Sequence, residues 1–159
     1  MSVEVPVSRV QLALNVDDLE QSIAFYSKLF GAEPAKRRPG YANFAIAEPP
    51  LKLVLLENPG QGGSLNHLGV EVGDVECVDS EQSRLADAGL ASIDERGTTC
   101  CYAKQDKFWV EGAPNGERWE IYTVLADSAT FAATDDGPAC CGTDQAGATE
   151  PAPTASSCC

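Results

Sequence analysis

The chain contains an internal repeat, which limits the folds it can adopt. Residues 10–18, VQLALNVDD, align without a gap on residues 66–74, NHLGVEVGD, and a Glu-Gln-Ser segment follows each copy. Apolar and polar residues alternate in both copies, as is typical of a half-buried strand. Two similar strands are weak evidence alone, but the same order of elements follows both. The sequence therefore predicts two related halves.

Each half is predicted to contain a strand, a helix and about three further strands. In the first half, strand 7–16 precedes a helix that Asp17 caps and Gly31 ends, and strands follow at 41–47 and 51–57. The apolar stripe of this helix consists of Leu19, Ile23, Tyr26 and Phe30. In the second half, strand 66–72 precedes a helix from residue 79 or 80 to 88, a strand region at 91–103, and a hairpin of 108–110 with 118–124 around an Asn-Gly turn.

The predicted fold class is α+β, with two βαβββ modules at about 7–58 and 64–125 that pair to form a concave sheet surface. From residue 126 the composition changes to Ala, Thr, Gly, Ser, Asp and Pro, without Lys or Arg. We expect residues 126–159 to form a disordered acidic tail. Four of the seven cysteines lie in this tail, namely Cys140, Cys141, Cys158 and Cys159.

The net charge of −13 argues against nucleic-acid binding, which needs basic patches, and against binding to anionic membrane surfaces. No apolar run is long enough to span a bilayer. The first residues, MSVE, lack the basic and apolar regions of a signal peptide. We therefore expect a cytoplasmic protein without nucleic-acid or membrane partners.

The single histidine, His67, lies on the polar face of strand 66–72. In the aligned register Gln11 falls on His67, at an offset of 67 − 11 = 56, and Glu120 occupies the polar face of the last strand. An imidazole, a carboxylate and an amide oxygen form an open site for Fe(II), Mn(II), Co(II), Ni(II) or Zn(II). A lone histidine is more often simply hydrogen-bonded, but a carboxylate inside an apolar strand needs a partner or a metal. Glu57 is an alternative fourth ligand, although its place at a strand end favours solvation.

A second candidate group is the adjacent pair Cys100-Cys101. Neighbouring Cα atoms are about 3.8 Å apart, which is below the usual disulfide range, so we expect the paired cysteines to stay reduced. The pair either fills a strand with small side chains or, on a loop, chelates a thiophilic atom such as trivalent arsenic or Cd(II). Alternation of side chains argues against both being core. The tail pairs either bind the same species or reflect low-complexity drift.

Four further residues are candidates for the loop and pocket around the cysteine pair, namely Tyr102, Lys104, Lys107 and Tyr122. The two lysines among them are expected to lower the pKa values of the thiols.

The repeated unit with these candidate ligands resembles the vicinal oxygen chelate superfamily, which includes glyoxalases, extradiol dioxygenases and antibiotic-resistance proteins. The motifs NHLGVEV, TTCCYAKQDKFWV and GERWEIYTV resemble the ArsI/CadI heavy-metal-resistance family over about residues 8–125. The resemblance implies a non-haem Fe(II)- and O2-dependent carbon–arsenic lyase. Such an enzyme degrades trivalent organoarsenicals, including methylarsenite and aromatic arsenicals, to arsenite and so confers resistance.

The resemblance also implies roles for individual residues. Gln11, His67 and Glu120 are expected to hold iron, and Cys100 and Cys101 to hold arsenic under a mobile loop at 98–107. Gln11 departs from the usual set of two histidines and one carboxylate, which leaves other divalent metals open.

Two rival functions are compatible with the sequence. The first is a thiol-based protein that sequesters Cd(II) or arsenite without lyase activity, which the tail cysteines favour. The second is a glyoxalase-type enzyme or resistance transferase acting on a thiol conjugate, which needs no cysteine pair. The sequence also leaves open whether the two halves pair within one chain or between the chains of a homodimer.

Overall fold

A computed structural model describes residues 8–130, in which ten elements follow one another. They are β1 (Arg9–Val16), α1 (Leu19–Phe30), β2 (Lys36–Arg38), β3 (Tyr41–Ile46), β4 (Leu51–Glu57), β5 (Leu65–Glu71), α2 (Val75–Asp87), β6 (Ser92–Cys100), β7 (Ala103–Val110) and β8 (Trp119–Asp127). Each half is a βαβββ module, as predicted. The predictions for Cys140, Cys141, Cys158 and Cys159 lie outside the described residues. Within residues 8–130 no helix is both long and apolar enough to cross a membrane.

The eight strands form one curled sheet in the order β2-β3-β4-β1-β5-β8-β7-β6. The two halves meet where β1 pairs antiparallel with β5, and each of these strands has a parallel neighbour, β4 or β8. Leu12 pairs with Leu68, and the repeat alignment superimposes these same two residues. A local twofold axis therefore passes through this pair, and the halves pair within one chain.

The helices cover one face of the sheet. Leu19 and Ile23 of α1 are buried, and the rest of the predicted stripe packs with them against Leu12 and Leu14 of β1. On the other side of the axis, Val78 of α2 packs with Ile121 of β8. Because side chains alternate along a strand, the residues between these apolar ones face the opposite, helix-free side of the sheet.

The first helix begins one residue later than its predicted cap implies. Asp18 is the N-cap, and its side chain accepts a hydrogen bond from the backbone N–H of Gln21 at 3.0 Å. Asp17 instead accepts hydrogen bonds from the backbone N–H groups of Gly60 and Gly62. Both residues can cap a helix, and only the fold decides that Asp17 binds the loop between the halves.

Three predicted boundaries in the second half are wrong. Helix α2 begins at Val75 rather than at residue 79 or 80, because Asp74 caps it by accepting a hydrogen bond from the Cys77 N–H at 2.8 Å. The strand region predicted at 91–103 is two strands, β6 and β7, joined by a turn. Strand β8 also continues to Asp127, three residues past its predicted end at residue 124.

Candidate functional site

Three polar side chains meet on the helix-free face of the central strands. The Nε2 of Gln11 lies 3.0 Å from the Nε2 of His67 and 2.8 Å from the Oε1 of Glu120. The His67 Nε2 is 3.3 Å from the same carboxylate oxygen. All three residues are buried. The structure thus brings together the three candidate ligands from β1, β5 and β8, which we call the triad.

The strand register explains why the triad members meet. Gln11 pairs with Gly69 across the β1–β5 boundary, and Gly69 pairs with Glu120 across the β5–β8 boundary. A Cβ on Gly69 would lie only 2.9 Å from the Cγ of Glu120 and 3.3 Å from the Nε2 of Gln11. The missing side chain therefore leaves the space in which these two residues approach each other.

The His67 ring is held in one orientation by its sequence neighbour. Its Nδ1 lies 2.8 Å from the side-chain oxygen of Asn66, which can only accept a hydrogen bond. The proton therefore sits on Nδ1, and Nε2 directs a lone pair towards the other two triad members. Burial lowers the pKa of His67, although Glu120 opposes this shift. A neutral imidazole with a free Nε2 is the form that binds metals.

Glu120 is ionised because of a buried lysine. Burial by itself favours the protonated acid, but Lys107 and His67 outweigh it and hold the pKa of Glu120 well below its usual range. The Lys107 Nζ lies 3.0 Å from the Oε2 of Glu120 and 5.1 Å from the centre of the Trp109 ring. Lys107 therefore pairs with the triad carboxylate, and Lys104 is exposed on β7.

Tyr122 orients the Gln11 amide through a hydrogen bond to its oxygen. The Tyr122 hydroxyl donates to the Oε1 of Gln11 at 2.6 Å and lies 3.3 Å from a carboxylate oxygen of Glu71. A metal takes the oxygen of an amide, so ligation requires this amide to turn over. Tyr122 can then accept from the amide nitrogen and donate to Glu71. The predicted pocket residue Tyr122 is thus a fully buried support for Gln11.

The chemistry of the triad fits a divalent metal. It offers a neutral imidazole nitrogen, one carboxylate oxygen and, after the amide turns, one carbonyl oxygen, and such mixed donors suit Fe(II), Mn(II) or Zn(II). The part of the chain that the structure describes contains no group of three His, Cys, Asp or Glu side chains suited to a metal, because the third donor here is an amide. The Oε2 of Glu120 is engaged by Lys107, so Oε1 would be the oxygen that this residue offers to a metal.

Within residues 8–58, the first half has no carboxylate at the position equivalent to Glu120. In that half, β1 and β4 pair Ala13 with Val54, as β5 and β8 pair Gly69 with Glu120. Val54 therefore occupies the position equivalent to Glu120. Glu57, the alternative fourth ligand, is exposed at the end of β4 and accepts a hydrogen bond from the Leu19 N–H at 2.8 Å.

The cysteine pair lies at a tight hairpin turn rather than on a loop. Cys100 ends β6, and Cys101 and Tyr102 form the turn to β7 with positive φ angles of 52° and 61°. This left-handed backbone places the two sulfur atoms 3.6 Å apart. The alternation expected of a strand does not separate them, because alternation holds only for extended residues.

The two sulfur atoms differ in oxidation state. Cys100 is buried and forms no disulfide, whereas Cys101 is disulfide-bonded. The expectation that both members of the pair stay reduced is therefore wrong for Cys101. The sulfur atoms of Cys100 and Cys101 are too far apart to be bonded to each other, as predicted from the short distance between neighbouring Cα atoms.

The thiol pair and the triad share the same face of the sheet and are linked by Trp109. The ring centres of Trp109 and His67 are 5.6 Å apart, in an edge-to-face arrangement. The indole N–H of Trp109 is buried and has no hydrogen-bond partner within residues 8–130. The cluster that joins Cys100 to Trp109 also contains Ala13, Tyr41, Val54, Leu56 and Tyr102. Sequence reasoning missed Asn66 and Trp109, although the position of Trp109 two residues after Lys107 places both on one strand face.

Comparisons with known proteins agree with this architecture. The chain is 68% identical over 143 residues to the cadmium-induced protein CadI of Mycobacterium tuberculosis, covering 85% of this chain and 93% of that protein. It is 62% identical over 136 residues to the trivalent organoarsenical cleaving enzyme of Thermomonospora curvata, covering 85% of this chain and 89% of that enzyme. In fold it is similar to the crystal structure of methylmalonyl-CoA epimerase from Mycobacterium tuberculosis, with a TM-score of 0.53 and 16% identity over 79% of this chain and 93% of that one.

The family assignment agrees with the repeated βαβββ modules and the curled sheet. Residues 8–121 match the family described as Glyoxalase/Bleomycin resistance protein/Dioxygenase superfamily. The chain belongs to this superfamily, and within it to the family that includes the cadmium-induced protein CadI and the trivalent organoarsenical cleaving enzymes.

Proposed function

We propose that this protein is a non-haem Fe(II)- and O2-dependent lyase that cleaves the carbon–arsenic bond of trivalent organoarsenicals and releases arsenite. The observation that carries the proposal is the location of a close sulfur pair and a buried three-donor triad on one face of the sheet, joined through Trp109. The names of relatives at 62% and 44% identity, both trivalent organoarsenical cleaving enzymes, support the same substrate class.

The cysteine pair binds the substrate in this proposal. A trivalent arsenical with two hydroxyl groups exchanges both for sulfur, releases two waters, and keeps its carbon substituent. This exchange requires Cys101 in its thiol form beside Cys100. Two bonds to arsenic fix the carbon substituent relative to the triad and replace a bimolecular encounter. The buried indole N–H of Trp109 is available to a bound arsenical as a hydrogen-bond donor.

The triad holds the metal. His67 supplies Nε2, Glu120 supplies Oε1, and Gln11 supplies Oε1 after its amide has turned. Bound Fe(II) supplies a place for O2 and the electrons that its activation needs. Lys107 keeps Glu120 ionised, and burial of the triad keeps bulk water away from the reacting bond. For methylarsenite, a stoichiometry that balances is one methylarsenite and one O2 giving one formaldehyde and one arsenite.

The test is anaerobic reconstitution of the reduced protein with Fe(II), followed by methylarsenite and then O2, with arsenic speciation as the readout. Arsenite is expected only with iron, O2 and an intact triad, so His67→Ala abolishes it. Cys100→Ser is expected to bind Fe(II) normally but to release little arsenite. Methylarsenite that returns unchanged from the iron-loaded wild type contradicts the proposal. Parallel reconstitution with Mn(II), Co(II), Ni(II) and Zn(II) identifies the metal that supports turnover.

A second candidate function is thiol-based binding of cadmium or arsenite without lyase activity. The 68% identity to a protein named as cadmium-induced favours it. Sequestration survives His67→Ala, whereas lyase activity does not, so this variant separates the two functions. A homodimer and a cytoplasmic location remain predictions, and light scattering coupled to size exclusion tests the first.

A further inference from the structure

The turn that carries the cysteine pair has a backbone that its residues do not favour. Cys101 and Tyr102 both have positive φ, although neither is a glycine or an asparagine. In this region the Cβ of an ordinary residue crowds the following carbonyl oxygen. Two-residue hairpin turns of this hand usually contain Asn-Gly or Asp-Gly for that reason. Contacts from elsewhere in the fold must therefore hold the turn in place.

One of these contacts comes from the first module. The backbone carbonyl of Tyr102 accepts a hydrogen bond from the Nζ of Lys36 at 2.9 Å and from the N–H of Ser128 at 2.8 Å. Lys36 is the first residue of β2 and lies 66 positions before Tyr102 in the chain. The Lys36 ammonium group also pairs with the carboxylate of Asp127, the last residue of β8.

The ring of Tyr102 is held by the same segment of the first module. The Arg38 guanidinium carbon lies 5.7 Å from the centre of the Tyr102 ring, and the Tyr41 ring centre lies 5.4 Å from it. The Tyr102 hydroxyl is 3.4 Å from the carbonyl oxygen of Pro39. Segment 36–41 therefore contacts both the backbone and the side chain of the residue that follows the cysteine pair.

We propose that Lys36 is a positioning residue for the cysteine pair, holding the left-handed turn so that both sulfur atoms face one arsenic atom before it binds. The inference rests on the proposed substrate role of Cys100 and Cys101. Asp127 neutralises the ammonium group, so Lys36 acts through the geometry of the turn rather than through its charge on the thiols. Without the hydrogen bond from Lys36, the turn relaxes towards lower-energy backbone angles. Part of the binding energy of the arsenical is then used to restore the turn, which weakens binding.

The test uses the reduced full-length protein and phenylarsenite, with affinity measured by competition against a small dithiol. Lys36→Met is expected to weaken phenylarsenite binding on the order of tenfold while one arsenical still binds per chain. Lys36→Arg restores most of the affinity, because a guanidinium can also donate to the Tyr102 carbonyl and pair with Asp127. The matched control is Arg37→Met on the same strand, since Arg37 pairs with Glu20 on α1 and not with the turn. We expect this variant to bind phenylarsenite with the wild-type affinity.

The second readout is the affinity of the triad for Co(II). If Lys36 merely stabilised the sheet, its replacement would weaken Co(II) binding as well as phenylarsenite binding. We expect the Co(II) affinity to be unchanged in all three variants. Wild-type affinity for phenylarsenite in Lys36→Met overturns the inference, and so does an equal loss of Co(II) binding, which would indicate general damage to the sheet. Failure of the wild type itself to bind phenylarsenite contradicts the proposed function instead.

Discussion

The three triad residues form a closed hydrogen-bonded set. The Gln11 amide nitrogen donates to both His67 and Glu120, and Glu120 is also paired with Lys107. The pairing leaves the site without net negative charge, so a divalent cation gains little from simple attraction. Metal affinity at this site therefore depends on how accurately the three donors are placed, and on the turning of the Gln11 amide.

The neutral state of buried His67 predicts a pH dependence of stability. Burial lowers its pKa below the ordinary value of 6.5, so below that pH the unfolded chain binds a proton that the native protein does not. Stability of the metal-free protein therefore falls on acidification from pH 7 to 5, by up to about 1.4 kcal/mol per pH unit. Urea unfolding with chelator present measures this slope, and His67→Gln should flatten it. An equal slope in both proteins contradicts the assignment to His67.

Gly69→Ala is predicted to damage the triad without altering any ligand. The new Cβ would lie 2.9 Å from the Glu120 side chain and 3.2 Å from its backbone oxygen, so β5 or β8 must shift. We expect a loss of about 1–3 kcal/mol in the free energy of unfolding and at least roughly tenfold weaker Co(II) binding. Calorimetric titration and urea unfolding provide the two values. Wild-type Co(II) affinity in this variant would show that the close approach at Gly69 is unimportant.

At the level of the elements, the two helices are anchored unequally. Leu19 and Ile23 of α1 are buried in a large cluster with three strands of the first half, whereas Val78 is the buried residue of α2. Hydrophobic burial stabilises an element in proportion to the apolar area removed from water, so α1 contributes more to the core than α2. Hydrogen exchange of backbone amides should accordingly be slower in α1.

A matched pair of substitutions on α1 tests this packing. Ile23 is 6% exposed and Leu29 is 58% exposed on the same helix. Ile23→Ala is expected to lower the free energy of unfolding by about 2–5 kcal/mol, because it leaves a cavity beneath the helix. Leu29→Ala should change it by less than about 0.5 kcal/mol. Thermal and urea unfolding of both variants checks the difference. Similar losses of unfolding free energy in the two variants would contradict the assignment of Ile23 to the buried face of α1 and Leu29 to the exposed face.

At the level of the whole molecule, both proposed centres are shared between the modules. Gln11 comes from the first half and His67 and Glu120 from the second, while Lys36 of the first half contacts the turn that carries the second half's cysteines. Neither half contains the whole triad, and the cysteine pair of the second half is supported by a residue of the first. The pairing of β1 with β5 is therefore the interaction on which both the triad and the support of the cysteine pair depend.

Binding of a divalent metal should stabilise the molecule as a whole for that reason. Co(II) at about 100 times its dissociation constant should add about 2.7 kcal/mol to the free energy of unfolding, and a chelator should reverse the gain. His67→Ala should abolish the effect, because it removes the central nitrogen donor. Scanning calorimetry with and without metal measures it. A gain of similar size in His67→Ala would mean that the metal binds elsewhere.

The sequence alone determined the repeat, the α+β class and the face on which the triad lies. These features follow from short-range patterns: alternation in 10–18 and 66–74 assigns each side chain to a face, and the ungapped alignment relates Gln11 to His67. The resemblance carried by TTCCYAKQDKFWV implies the chemistry without any knowledge of distances. Such inferences succeed because strand periodicity and repeat symmetry are properties of the chain itself.

The tertiary structure decided which partner each polar group has. Asp17 and Asp18 are chemically equivalent as helix caps. Asp18 caps α1, whereas Asp17 accepts hydrogen bonds from the loop that contains Gly60 and Gly62. Lys107 lies opposite Tyr122 in the β7–β8 register, and its side chain reaches the carboxylate of Glu120. The approach of the two sulfur atoms depends on positive φ at Cys101 and Tyr102, a conformation these residues do not favour and which distant contacts must hold. Local patterns cannot specify such interactions, because their energies come from residues far apart in the chain.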